Sequence, residues 1–97
     1  MQTIDSIRSG IIPIAKEYGL KRVFLFGSYA KGTATEESDV DLLVEKGDKL
    51  FTLLSLSGFR LDAIDALDTP VDVLSVGGLS DDFKKEIEGS EVLLYEK

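Results

Sequence analysis

The sequence predicts an α/β fold, with helices packed on a small mixed β-sheet. Three observations predict it. Short β-branched and aromatic runs bounded by turn residues recur at 22–26, 38–45, 71–76 and 91–96, the length and composition of strands. The segments 3–18 and 50–67 instead space their apolar residues by three and four, as amphipathic helices do. Between the first two strands and before the last lie two shorter stretches suited to single helical turns or little more. The order is therefore α-β-α-β-α-β-α-β, one layer of helices against a sheet.

Ninety-seven residues suit one domain, 1–97, which at this size buries about 60–65% of its unfolded surface. The composition, 43% apolar and 30% charged, is that of a globular protein. A net charge of −7 argues against a direct nucleic-acid-binding surface and means that any nucleotide site needs cations to offset phosphate charge. There is no cysteine and no histidine, which excludes disulfides, thiol chemistry, histidine bases and histidine metal ligands. No run approaches the roughly 18 apolar residues of a membrane span, and no basic region followed by an apolar stretch opens the chain, so a cytoplasmic location is expected.

In the first helix Ile4, Ile7, Ile11, Ile12, Ile14 and Ala15 form the apolar face, Thr3 or Asp5 caps it and Gly19 ends it. Pro13 costs about 3 kcal/mol inside a helix. Either the helix bends there or Gly10 separates a short first piece from a second. The segment 50–67 is apolar over a wide arc: Leu50, Phe51, Leu53, Leu54, Leu56, Phe59, Leu61, Ile64 and Leu67. It reads as a helix covering the sheet or as one that also offers a partner-binding face. Asp62, Asp65 and Asp68 form its solvated side. Thr69-Pro70 breaks it before the third strand. A last short helix is expected at Asp82–Glu88, with Ser80 as its cap.

The chemistry concentrates between Arg22 and Val44. The strand Val23–Phe26 ends abruptly in Gly27-Ser28. Gly27 permits a sharp turn and a close approach to the backbone. Ser28 opens a short helix to about Lys31, where its hydroxyl and the free amides suit an anionic oxygen, and Gly32 ends that helix. After ten intervening residues come Asp39-Val40-Asp41, entering the second strand. Strand periodicity turns Asp39 and Asp41 the same way and Val40 and Leu42 into the core. Two carboxylates that close repel unless a cation neutralises them, and such hard oxygen ligands suit Mg²⁺. A phosphate cradle beside a magnesium pair points to phosphoryl or nucleotidyl transfer. Each half alone has an ordinary reading, a plain turn and a solvated strand edge; the joint pattern is the more specific signal.

Gly27-Ser28-x-Ala30-x-Gly32-Thr33, followed by Ser38-Asp39-x-Asp41-Leu42-x-Val44, resembles the signature of the polymerase-β-like nucleotidyltransferase superfamily. In its fuller form it is similar to the minimal nucleotidyltransferases (MNT domains) of bacteria and archaea, commonly the antitoxin halves of HEPN/MNT toxin–antitoxin pairs. The resemblance covers essentially the whole chain and implies the polymerase-β-like fold. Asp72 interrupts the otherwise buried run of the third strand, and a lone charge inside a central strand is costly unless paired or metal-bound; by position the resemblance makes it the third metal-binding carboxylate, and the alternative is that it pairs with a Lys or Arg on a sheet edge. It implies two Mg²⁺ bridged by Asp39 and Asp41, ATP as substrate, and Asp72 as acceptor of the hydroxyl proton. Ser28 and the Gly27 backbone would seat the terminal phosphates. Lys31 would meet a phosphate where similar proteins more usually carry an Arg, or would simply be solvated. Larger relatives carry further domains for their acceptors, whereas this core implies a protein acceptor: a tyrosine of a cognate HEPN toxin, held in a heteromeric complex and silenced by AMP. Two alternatives stand beside that one, a binding antitoxin that neutralises by contact, and a catalytic subunit that needs a separate substrate-binding protein.

Overall fold

The structure, a computed structural model, describes residues 2–75 and 91–97. Its elements are α1 (Ile4–Glu17), β1 (Leu20–Phe26), α2 (Gly27–Lys31), β2 (Val40–Lys46), α3 (Leu53–Leu67), β3 (Val71–Ser75) and β4 (Val92–Glu96). The helix expected at Asp82–Glu88 lies outside the described residues.

The strands form one mixed sheet in the order β3-β2-β1-β4. The pairs β1–β2 and β1–β4 are antiparallel, and α3 carries the chain over to set β3 parallel to β2. Period-two alternation divides the sheet into two faces. Val23 and Leu25, Val40, Leu42 and Val44, and Val71 point to one face, where they meet Ile7, Ile11, Ile14 and Ala15 of α1 and Phe59, Ala63 and Leu67 of α3 in a single core. The other face carries the alternate residues Arg22, Phe24 and Phe26 of β1, Asp41, Leu43 and Glu45 of β2, and Asp72 of β3. Arg22 ties three strands on that face, donating to Glu96 at 2.7 Å and to Glu45 at 2.8 Å.

Both long helices begin with a reciprocal cap. Thr3 and Ser6 exchange side-chain and backbone hydrogen bonds at α1, and Thr52 and Ser55 do so at α3, each satisfying amides that the first turn leaves free. Of the two cap candidates for α1, Thr3 is the one used. Pro13 does not divide α1, which runs unbroken across it. Gly10 is not a break either. A Cβ there would meet Leu67 Cδ2 at 2.7 Å, so this glycine lets α1 lie close against α3. Four buried side chains on one face of α1 outweigh the hydrogen bond that the proline forfeits. No helix among the described residues is long and apolar enough to cross a membrane.

Candidate active site

The site is built where β1 ends and β2 and β3 begin. β1 leaves the sheet at Phe26, and Gly27 at φ +73° swings the chain directly into α2. No side chain caps this five-residue turn, and Gly32 at φ +76° closes it in the left-handed conformation. The sequence expectation for Gly27 and Gly32 holds in both cases. Among the described residues the Ser28 hydroxyl has no hydrogen-bond partner, while its carbonyl accepts from Thr33 N at 2.9 Å. Lys31 is exposed on the last turn and makes no ion pair among the described residues.

The carboxylates come from the neighbouring strands. In the sheet Phe26 pairs with Asp41, and Asp41 pairs with Asp72 across the parallel β2–β3 ladder. Adjacent strands lie about 4.8 Å apart, so the two carboxylates start side by side on the same face. The register is fixed from outside the ladder as well, because Val40 N donates to the carbonyl of Pro70 at 2.9 Å. Thr69-Pro70 therefore ends α3 and also sets the point where β3 joins β2. Asp39 precedes the first residue of β2 and is exposed.

Asp41 is the electrostatic centre. Its carboxyl is held above its ordinary value by burial first, then by the charge of Asp72, then by that of Asp39. Asp72 and Asp39 are thus both within electrostatic reach of Asp41, and no Lys or Arg among the described residues pairs with any of the three. The side of Asp41 towards α2 is closed by Gly27: a Cβ at that position would collide with Asp41 Oδ2. The turn that begins α2 and the central carboxylate are in direct contact.

Asp72 corrects one premise of the sequence reading. Its strand is the edge of the sheet, not its middle, and the side chain is exposed, so no burial cost has to be offset. The edge-pairing alternative finds no cationic partner among the described residues. Sequence reasoning did not anticipate the clasp before Asp39, in which Thr35 N donates to Ser38 Oγ at 2.8 Å and Ser38 N to the Thr35 carbonyl at 3.0 Å. Its signal was present, a Thr and a Ser three residues apart; as at α1 and α3 the Thr amide donates to the Ser hydroxyl, but here the Ser amide returns to the Thr carbonyl instead of its hydroxyl.

The donor chemistry fits a hard divalent cation. Three carboxylates share one corner of the sheet, and their mutual repulsion is uncompensated by any neighbouring side chain among the described residues. Yet among those residues no three His, Cys, Asp or Glu side chains are gathered closely enough to hold a metal ion by themselves. A cation here would fill its shell with water and substrate oxygens, which is the habit of Mg²⁺.

A mixed sheet with this strand order, a glycine-serine turn into a short helix, and acids on the adjoining strands defines the class of polymerase-β-type nucleotidyltransferases. The chain belongs to the polymerase beta nucleotidyltransferase family, which it matches over residues 9–97. A relative in Methanocaldococcus jannaschii, assigned by name to the protein adenylyltransferases, is 40% identical over 76 residues, which span 78% of this chain and 81% of that one. Among solved structures, one of a toxin–antitoxin complex with AMP-PNP aligns with a TM-score of 0.79 and 25% identity, covering 93% of this chain and 73% of the matched one. A minimal nucleotidyltransferase aligns with a TM-score of 0.79 and 29% identity, over 94% and 95% of the two chains.

Proposed function

We propose that this nucleotidyltransferase moves AMP from ATP to a hydroxyl of a partner protein, a tyrosine of a cognate HEPN toxin, and so acts as its antitoxin. The observation that carries the reading is the register that sets Asp41 beside Asp72, with Asp39 close enough to act on Asp41 and Gly27 pressed against it. The assignment of the M. jannaschii relative supports a protein acceptor. AMP-PNP, an ATP analogue, in the aligned toxin–antitoxin structure supports both the donor and the partner class.

Asp39, Asp41 and Asp72 would hold Mg²⁺, which when bound supplies charge neutralisation for the triphosphate and activation of the acceptor oxygen. Ser28 presents a hydroxyl without a hydrogen-bond partner among the described residues, next to the Gly27 backbone, where the β- and γ-phosphates are received. Lys31 adds a single positive charge nearby, without the two-pronged grip of an Arg. In the transfer the acceptor oxygen bonds to the α-phosphorus, the bond from that phosphorus to the bridging oxygen breaks, and pyrophosphate departs. Asp72, the most solvent-accessible member of the β2–β3 pair, takes the proton of the acceptor hydroxyl.

The test is direct. The protein is incubated with α-labelled ATP, Mg²⁺ and the toxin encoded beside it. Label on the toxin, absent with Asp41→Asn, supports transfer. Loss of toxin activity with no label on it would replace this reading with neutralisation by contact.

A further inference from the structure

The sheet fixes two of the site's carboxylates and leaves the third to other means. Asp41 and Asp72 pair across the β2–β3 ladder. Asp39 stands one residue before β2, exposed, and has no place in either ladder of that strand. A carboxylate on a free loop has to be ordered when its ligand arrives, and that ordering counts against binding.

The loop that carries Asp39 is not free. Thr33 N donates to the Ser28 carbonyl at 2.9 Å, which anchors the start of the loop on α2. Ser38 N donates to the Thr35 carbonyl at 3.0 Å, and Thr35 N donates to Ser38 Oγ at 2.8 Å, so that 35–38 closes on itself. Inside this turn Glu37 N donates to Thr35 Oγ1 at 3.3 Å. Val40 N donates to the Pro70 carbonyl at 2.9 Å. The residues on either side of Asp39 are therefore both held by their own amides, Ser38 to the loop and Val40 to the start of β3. The Asp39 side chain stays in solvent between them.

These ties differ in what they ask of the sequence. Those of Thr33 and Val40 run from backbone to backbone and survive a change of side chain. The Thr35 amide instead relies on the hydroxyl of residue 38. Ser38 is half-buried although Glu37 and Asp39 beside it are exposed, so this hydroxyl is turned inward to the turn and away from water.

We infer that Ser38 is a positioning residue, which through its clasp with Thr35 holds Asp39 at the acidic corner before a cation arrives. The inference rests on the reading of Asp39 as one of the acids that take Mg²⁺. The clasp acts by preorganisation: the loop is ordered in advance, and the cation does not have to order it. Its loss leaves the fold standing, because the turn is at the surface, and shows in how much Mg²⁺ the site needs.

The experiment follows the thermal midpoint of the purified chain as Mg²⁺ is raised, which reads cation affinity without any transfer. Ser38→Ala should need about fivefold more Mg²⁺ than the parent for the same rise, the worth of one net hydrogen bond. Its midpoint without Mg²⁺ should stay close to the parent's. Ser38→Thr keeps the hydroxyl and should keep the parent's Mg²⁺ dependence. Asp39→Asn should weaken Mg²⁺ by itself, and Ser38→Ala added to it should cost nothing more, because the clasp works only through Asp39. In transfer assays the same shift should appear in the KM for Mg²⁺, with kcat at saturating Mg²⁺ near the parent's. Equal Mg²⁺ dependence in the parent and Ser38→Ala overturns the inference and leaves the metal reading intact. An effect of Ser38→Ala that is as large with Asn at position 39 overturns it too, since the hydroxyl then acts on the ligand directly. A parent whose midpoint ignores Mg²⁺ overturns the metal reading, and the inference falls with it.

Discussion

Gly27 lies directly against the carboxylate of Asp41, so that the turn into α2 and the central acid of the site share one contact that leaves no room for a side chain. The glycine also holds φ +73°, a conformation that L side chains rarely adopt. Gly27→Ala therefore meets two obstacles at once, backbone strain and a Cβ driven into Asp41. We expect a loss of about 1–3 kcal/mol of stability in urea denaturation. Transferase activity should fall at least about a hundredfold, because a displacement near 1 Å at a reacting centre costs that much. Retained activity would mean that Asp41 need not sit where this contact places it.

The proton affinity of Asp41 has a consequence for stability. Burial, then Asp72, then Asp39, raise its carboxyl above the ordinary 3.8, so the folded chain holds this proton more tightly than the unfolded one. Stability then falls as pH rises from the unfolded value through the folded one, and the deficit is complete above it. Asp41→Asn removes the deficit. The variant should be more stable than the parent at pH 7 by up to about 1 kcal/mol after allowance for solvent screening, and no more stable below about pH 4. Mg²⁺ should raise the thermal midpoint of the parent at pH 7 and leave that of the variant unmoved. Scanning calorimetry at the two pH values, with and without Mg²⁺, reads both effects.

Asp72 separates chemistry from architecture. It is exposed on an edge strand and pairs with no cation among the described residues, so Asp72→Asn should change stability by less than about 0.5 kcal/mol. The same substitution should lower nucleotide transfer by about 10²–10⁴-fold if Asp72 takes the proton of the acceptor. Rates should be compared at saturating Mg²⁺. A variant that loses stability and keeps its rate would make Asp72 a structural residue of the sheet edge.

Local pattern carried most of what the chain becomes. The apolar run to Phe26 and its stop at Gly27 located the end of β1, and Asp39-Val40-Asp41 located the start of β2, because both depend on neighbours in sequence. What stayed hidden depends on distant partners. β1 extends back to Leu20 because Gly19, at φ +66°, turns straight out of α1 and Leu20 finds Lys46 across the ladder. Gly10 reads as a helix breaker until Leu67 arrives against it. Asp72 reads as a charge in a buried strand until the strand order places β3 at the edge. Composition showed α3 to be apolar, but only packing divides its leucines and aromatics between the core and the exposed surface.

Phe59 tests how much of the fold rests on α3. It is fully buried between helix and sheet, and its ring meets that of Tyr18 edge-on at 5.8 Å, joining α3 to the end of α1. Phe59→Ala removes that contact and leaves a cavity that the sheet cannot collapse to fill, at a cost of about 3–5 kcal/mol. For a chain of this length, whose total stability is on the order of 5–15 kcal/mol, the variant should be partly unfolded near 37 °C. Tyr18→Phe is the control. It keeps the ring and gives up only the hydroxyl, which donates to the Asp62 carboxylate at 2.9 Å on the surface, so the loss should stay below about 1 kcal/mol. Equal losses from the two substitutions would shift the weight from the ring contact to the hydrogen bond, and α3 would then be anchored from its surface instead of its core.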